Sequence, residues 1–350
     1  MDTGVTFYVG TYSERGSKGI YTGQFDLQSG AMRITGHVGG IQNSSFLTLD
    51  ASGKFLYAVS ETLEFEGVFG GGLHAFGVDN GLHPINAVPT HGTDPCYVAL
   101  TPDGRFVLVS NYTSGSLAVF TVREDGGVSE AVTFVQHEGA SGVNPARQEG
   151  PHAHCIVPDA TGRYAVVADL GQDRVLVYRL GEDGGLHPAD QPAVDLAPGA
   201  GPRHFVFHPD GARAFVINEL GSTVTAFDWD AAQGLLTKTQ TITTLPEDFV
   251  ARNDSADLHV HPNGRFLYGS NRGHDSIAVF EIASDGLRPV QHIHTGGHWP
   301  RNFCIHDRFL LVANRHTDHI AVFEIDEATG RLSATGQGLD MPSPVCICFA

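Results

Sequence analysis

Three arginines stand in closely related settings: Arg203 in GPRHF, Arg272 in SNRGH and Arg301 in WPRNF. The chain also offers two histidines two residues apart, His152 and His154 in PHAH, and a glutamate, Glu219, in NEL. Brought together, these side chains could hold a small anionic ligand, with a histidine serving as general base or as a hydrogen-bonding group to the substrate. A single Arg–Glu pair would read as packing between neighbouring elements, because such pairs contribute little. Several arginines at one place repel unless an anion joins them. Each charge-assisted hydrogen bond nets about 1.5–3 kcal/mol and micromolar binding needs about 8, so three arginines suffice to hold a phosphate or carboxylate.

Other chemistries find no foothold. The sequence has no GxSxG elbow, Walker loop or HExxH, and the glycines of GGGLH at 70 feed a strand rather than a helix, which excludes a dinucleotide fingerprint. His152 and His154 share a strand face, but no cysteine or carboxylate cluster accompanies them, so neither a metal nor another cofactor is expected. The net charge of −18 disfavours nucleic acid and anionic membranes as partners. The five cysteines are odd in number and lack CxxC spacing, which fits a reducing cytoplasm. Cys346 and Cys348 read as small buried apolar residues. No basic and apolar leader stands before the first strand-like run, and no apolar run approaches membrane-spanning length, so a cytoplasmic protein is expected.

The elements that must position these groups repeat along the chain. An apolar run ending in polar residues recurs as FYVGTY at 7, FLYAVSE at 55, FVLVSNY at 106, YAVVADL at 164, AFVINEL at 214, FLYGSNR at 266 and FLLVANR at 309. The spacing averages about 50 residues, the signature of a repeat architecture. A second run follows each, as in SLAVFTV and HIAVFEI, and usually a weaker fourth strand after a Gly-x-Leu step. A shorter run precedes six of them, as in DPCYVAL at 94 and PRNFCIH at 300, and the seventh is the C-terminal SPVCICFA. The two ends complement each other. We therefore expect an all-β chain forming one domain over 1–350, a seven-bladed β-propeller of four-stranded antiparallel blades closed by the C-terminal strand joining the N-terminal blade. Closure protects the edge strands, so a monomer is expected.

In such a fold the start of a blade's innermost strand and the end of its second strand lie on one face. The mouth there gathers Tyr12, Glu61, Asn111, His152, His154, Asp169, Arg203, Glu219, Asp257, Arg272, Arg301 and Arg315. The Pro-Asp-Gly turns fall on the opposite face and serve as turns only.

YVGTY at 8, GPHAHCIVPD at 150, ADLGQDRVLVYRL at 168, GPRHFVFHP at 201, ADLHVHPNGRFLY at 256 and SNRGHDSIAVF at 270 resemble the seven-bladed propeller lactonases, the family of bacterial 6-phosphogluconolactonases and fungal carboxymuconate-lactonising enzymes. The resemblance spans essentially the whole chain. It implies that His152, Arg203, Glu219 and Arg272 are catalytic. It leaves His154, Arg301, Asp257, Asn111, Asp169 and Tyr12 of the mouth for a small anionic lactone. 6-Phosphogluconolactone is the foremost expectation. The alternatives are an unphosphorylated aldono- or hexaro-lactone, a carboxymuconate-type cycloisomerisation, and a propeller scaffold without catalysis.

Overall fold

Strands that are apolar along their whole length must be covered on both faces. In the computed structural model, which describes residues 4–350, Phe106–Asn111, Tyr164–Asp169 and Phe309–Asn314 are buried at every position. Each is the second strand of a four-stranded antiparallel sheet, and seven such sheets form the protein. The outer strands alternate instead, as Val128–Gln136 does, because one face meets solvent. Blades one to six span 47–89, 95–136, 153–195, 202–243, 254–294 and 300–340, and blade seven joins Pro344–Phe349 to 4–38. Strands are lettered A to D from the axis outward.

The two chain ends close the ring. Pro344–Phe349 pairs antiparallel with Gly4–Thr11, setting Ile347 opposite Val9 and Cys348 opposite Tyr8. The A strands touch their neighbours all the way round, including Pro344–Phe349 against Leu47–Leu49. Seven apolar clusters make the core, and each bridges two adjacent blades; Tyr164 and Val166, for example, pack with Phe227 and Trp229. Burial therefore lies between sheets, so no blade can fold its faces away alone.

The Pro-Asp-Gly turns do lie opposite the mouth, between strands A and B, with Gly104 and Gly211 at φ +70°. Among the described residues the one helical element is the 3₁₀ turn Arg315–Thr317, and no helix is long and apolar enough to cross a membrane. The repeat pattern misses a small hairpin, Glu64–Phe65 with Val68–Phe69, inserted between strands B and C of blade one. Its turn places Glu66 and Gly67 at positive φ, the backbone that suits two-residue hairpins.

Candidate active site

One backbone irregularity recurs where strand A enters the mouth. The A–B ladder shifts register between Pro95 and Tyr97, Ala153 and Cys155, Pro202 and His204, and Pro300 and Asn302. A bulge of this kind turns one residue out of the ladder and re-aims its side chain. The residues so displaced are Cys96, His154, Arg203 and Arg301. Blade five has a longer shift, between Ser255 and Leu258, that contains Asp257. Repetition of one strand-level device thus gathers a thiol, an imidazole, two guanidiniums and a carboxylate around the axis.

Glu219, at the end of strand B in blade four, is the hub. Its Oε2 lies 3.0 Å from Arg203 Nε and 2.7 Å from Arg272 Nη2, and its Oε1 lies 2.5 Å from Arg147 Nη2. Burial works to raise its pKa, but Arg272, Arg203 and Arg147 outweigh this and hold it well below the usual carboxylate range. Arg203 is 1% exposed and Arg272 is 4% exposed. Main-chain carbonyls lock both: Arg203 Nη1 donates to Ala256 O at 2.7 Å, and Arg272 donates to Asp254 O at 2.9 Å and Ser255 O at 3.1 Å. The approach of Arg203 Nε to Glu219 misses hydrogen-bond alignment, which leaves that N–H without an acceptor. Burial, then the charges of Arg272 and Arg301, pushes the Arg203 guanidinium down to about 10.

His154 and Arg301 complete the axial group. The Cys96 thiol donates to His154 O at 3.3 Å and stands 3.6 Å from His154 Nδ1. The tautomer with Nδ1–H toward sulfur, the thiol proton going to the carbonyl, keeps the lone pair on Nε2. Burial first, then Arg203, His204 and Arg301, holds the ring well below the ordinary histidine pKa, so it is neutral. Arg301 is barely committed. Among the described residues its one side-chain hydrogen bond is to Glu61 at 3.4 Å, with its guanidinium 5.3 Å from the Tyr12 ring centroid. Tyr12 OH is in turn tied to Glu61 at 2.8 and 3.0 Å, and Arg315 covers the other part of the Tyr12 ring at 4.1 Å.

His152 stands apart from His154. It precedes strand A of blade three, stacks on Tyr112 at 4.7 Å, and turns Nδ1 to Tyr112 O and Nε2 to Glu149, at 3.0 and 3.1 Å. Three residues expected to meet a ligand are buried beside hydrogen-bond partners inside the protein. Asp169, fully buried, accepts from His137 Nδ1 at 2.6 Å, from the His152 amide at 2.8 Å and from Gln172. Asp257 accepts from His204, His259 and Asn302 at 2.7, 3.0 and 2.6 Å and from the Phe303 amide, stitching blades four, five and six. Asn111, also fully buried, donates from Nδ2 to Ser116 Oγ at 3.1 Å in its own B–C turn, and its Oδ1 has no hydrogen-bond partner among the described residues. The strand-end rule finds these positions but not which way each side chain is spent.

That rule also missed Arg147, Tyr112 and Cys96. Arg147 lies in the connection 137–152, which has no counterpart in the repeat; the only signal was an arginine shortly before PHAH. Cys96 was detectable, since DPCYV aligns with GPRHF and WPRNF. Among the described residues no group of three or more histidine, cysteine, aspartate or glutamate side chains is arranged to hold a metal ion.

The comparisons with known proteins bear on the chain as a whole. The family described as "Lactonase, 7-bladed beta-propeller" matches residues 6–349. The chain is 35% identical to the 6-phosphogluconolactonase of Bacillus subtilis (strain 168), covering 98% of this chain and 97% of that one. It is 34% identical to the 6-phosphogluconolactonase of Formosa agariphila over 85% of each chain. Among solved structures, the periplasmic gluconolactonase PpgL of Pseudomonas aeruginosa superposes with a TM-score of 0.92 at 34% identity, covering 99% of both chains. With the ring of blades, the axial arginines and histidine, and these relatives over nearly full length, the chain belongs to the seven-bladed β-propeller lactonases and is a lactone-hydrolysing enzyme.

Proposed function

We propose that the substrate is a sugar-acid lactone, foremost 6-phosphogluconolactone, hydrolysed to 6-phosphogluconate as in the pentose phosphate pathway. The observation that carries this reading is a neutral His154 with a free Nε2 beside Arg301, whose donors are largely unspent. His154 Nε2 takes a proton from water as the water oxygen bonds to the lactone carbonyl carbon. The C=O electron pair moves onto oxygen, and the oxyanion is met by Arg301 with Arg203 behind it. Collapse breaks the bond to the ring oxygen, which leaves with the proton from His154, and the new carboxyl group ionises. Glu219 keeps Arg203 and Arg272 in place, and no metal takes part. The PHAH motif points to His152 as the base; we assign that role to His154, because both ring nitrogens of His152 already have partners. Five free thiols favour the cytoplasm.

The test is acid release from 6-phosphogluconolactone, glucono-lactone, a hexaro-lactone and carboxymuconate lactone, each corrected for spontaneous hydrolysis, with and without chelator. Fastest turnover of the phosphorylated lactone, unchanged by chelation, is expected. No acceleration of any lactone would overturn the reading, and loss of activity on chelation would overturn the metal-free chemistry.

A further inference from the structure

The three guanidiniums on Glu219 are not equivalent. Arg203 and Arg272 are buried and fixed by main-chain carbonyls. Arg147 is held by side chains alone, Glu219 Oε1 and Tyr112 OH at 3.1 Å, both through Nη2, and its side chain is 28% exposed. Its Nε and Nη1 have no acceptor among the described residues. Beyond Arg147 opens a cavity of about 660 Å³, lined by Leu220, Gly221 and Ser222 and faced by Arg252. Arg252 spends one nitrogen on Asp254 at 3.0 Å and leaves the rest of its fork exposed. The cavity's own lining carries two guanidiniums, Arg147 and Arg252, against one carboxylate, Asp254, an excess of positive charge in a chain of net charge −18. Concentrated charge of one sign in a cleft draws a ligand of the other.

We propose that the cavity between Arg147 and Arg252 is the subsite for a phosphate monoester on the end of the substrate remote from the lactone carbonyl. The proposal rests on the lactonase reading, in which the carbonyl lies at His154 and Arg301. Tyr112 joins the two places: its ring meets the edge of the His154 ring at 5.3 Å and its hydroxyl bonds Arg147. The free edges of two guanidinium forks match the oxygens of a phosphate. Arg147 can turn toward it without stranding Glu219, which keeps Arg203 and Arg272.

The experiment compares wild type with Arg252→Gln and Arg252→Lys on 6-phosphogluconolactone, glucono-lactone and the matching hexaro-lactone, alongside calorimetric binding of 6-phosphogluconate and gluconate. Arg252→Gln should lower kcat/KM on the phosphorylated lactone about tenfold or more, mainly through KM, and weaken 6-phosphogluconate binding in step. Glucono-lactone turnover should stay within about twofold, and Arg252→Lys should recover part of the loss. Equal losses on phosphorylated and plain lactones, or no loss on the phosphorylated one, would overturn the subsite. A loss as large on the hexaro-lactone would overturn the phosphate assignment in favour of any anion. If wild type hydrolyses no lactone, the lactonase reading fails, and the subsite then stands or falls on whether 6-phosphogluconate outbinds gluconate and Arg252→Gln abolishes the difference.

Discussion

Substituting His154 by glutamine should lower kcat about a hundredfold or more with KM little changed, the usual size of a lost general base. The same change at His152 should cost less than about tenfold, because that ring is spent on Tyr112 and Glu149. Steady-state kinetics of the two variants decides between them; the reverse order would return the role to His152. The neutrality of His154 has its own signature. Its pKa lies below the ordinary value of about 6.5, so the base form persists as acid is added. kcat/KM should therefore stay level through pH 6.5 where an ordinary histidine would lose activity. In the proposed mechanism Cys96 acts through His154 as a positioning residue. Cys96→Ala leaves Nδ1–H unpaired and should cut kcat about tenfold, and Cys96→Ser, which can still accept that hydrogen, should restore most of it.

Among the elements, the connection 137–152 bears most on the site, because it carries Arg147, Glu149 and His152. It is seated by close backbone approach at Gly171: a Cβ there would overlap the Gly150 carbonyl oxygen and press on the His152 amide. Gly171→Ala must push the connection outward. A loss of about 1–3 kcal/mol in urea unfolding is expected, together with a fall in kcat/KM. An unchanged enzyme would show that the connection is not held there. The bulges are the other element-level device. One extra residue at the start of strand A, repeated in four blades, delivers the axial side chains, so the arrangement of the proposed site depends on backbone register as much as on residue type.

For the whole molecule, buried neutral imidazoles link stability to pH. Burial first, and for His204 the Arg203 charge next, pushes His74 and His204 down to about 4, and His154 also lies well below the usual value. The unfolded chain protonates these rings near pH 6.5 while the folded one does not, so the unfolded state binds more protons and folding weakens as pH falls from about 6.5 toward 4. Each such ring contributes at most about 1.4 kcal/mol per pH unit in that window. His259, raised by Asp257 against its own burial, works the other way, and its contribution fades as pH rises. Glu219 has a depressed pKa, so its contribution is full above about 4.3 and is lost at lower pH. Urea midpoints from pH 8 to 4 should fall in that order, with a shallower slope in His204→Asn. A midpoint that is flat down to pH 4.5 would contradict it.

The ring of blades was legible from residues alone, because a strand covered on both faces must be apolar throughout and seven such runs recur with complementary chain ends. Arg203, Glu219, Arg272 and Arg301 were legible for the same reason, since strand ends of a repeat share one face. What tertiary structure alone decided was orientation. A bulge sends His154 rather than its neighbour toward the axis, while buried donors claim the oxygens of Asp169 and Asp257. Arg147 reaches Glu219 from a connection outside the repeat. Periodicity records which face a residue occupies; hydrogen-bond competition and register shifts depend on groups far apart in the chain, and only the closed ring brings those into contact.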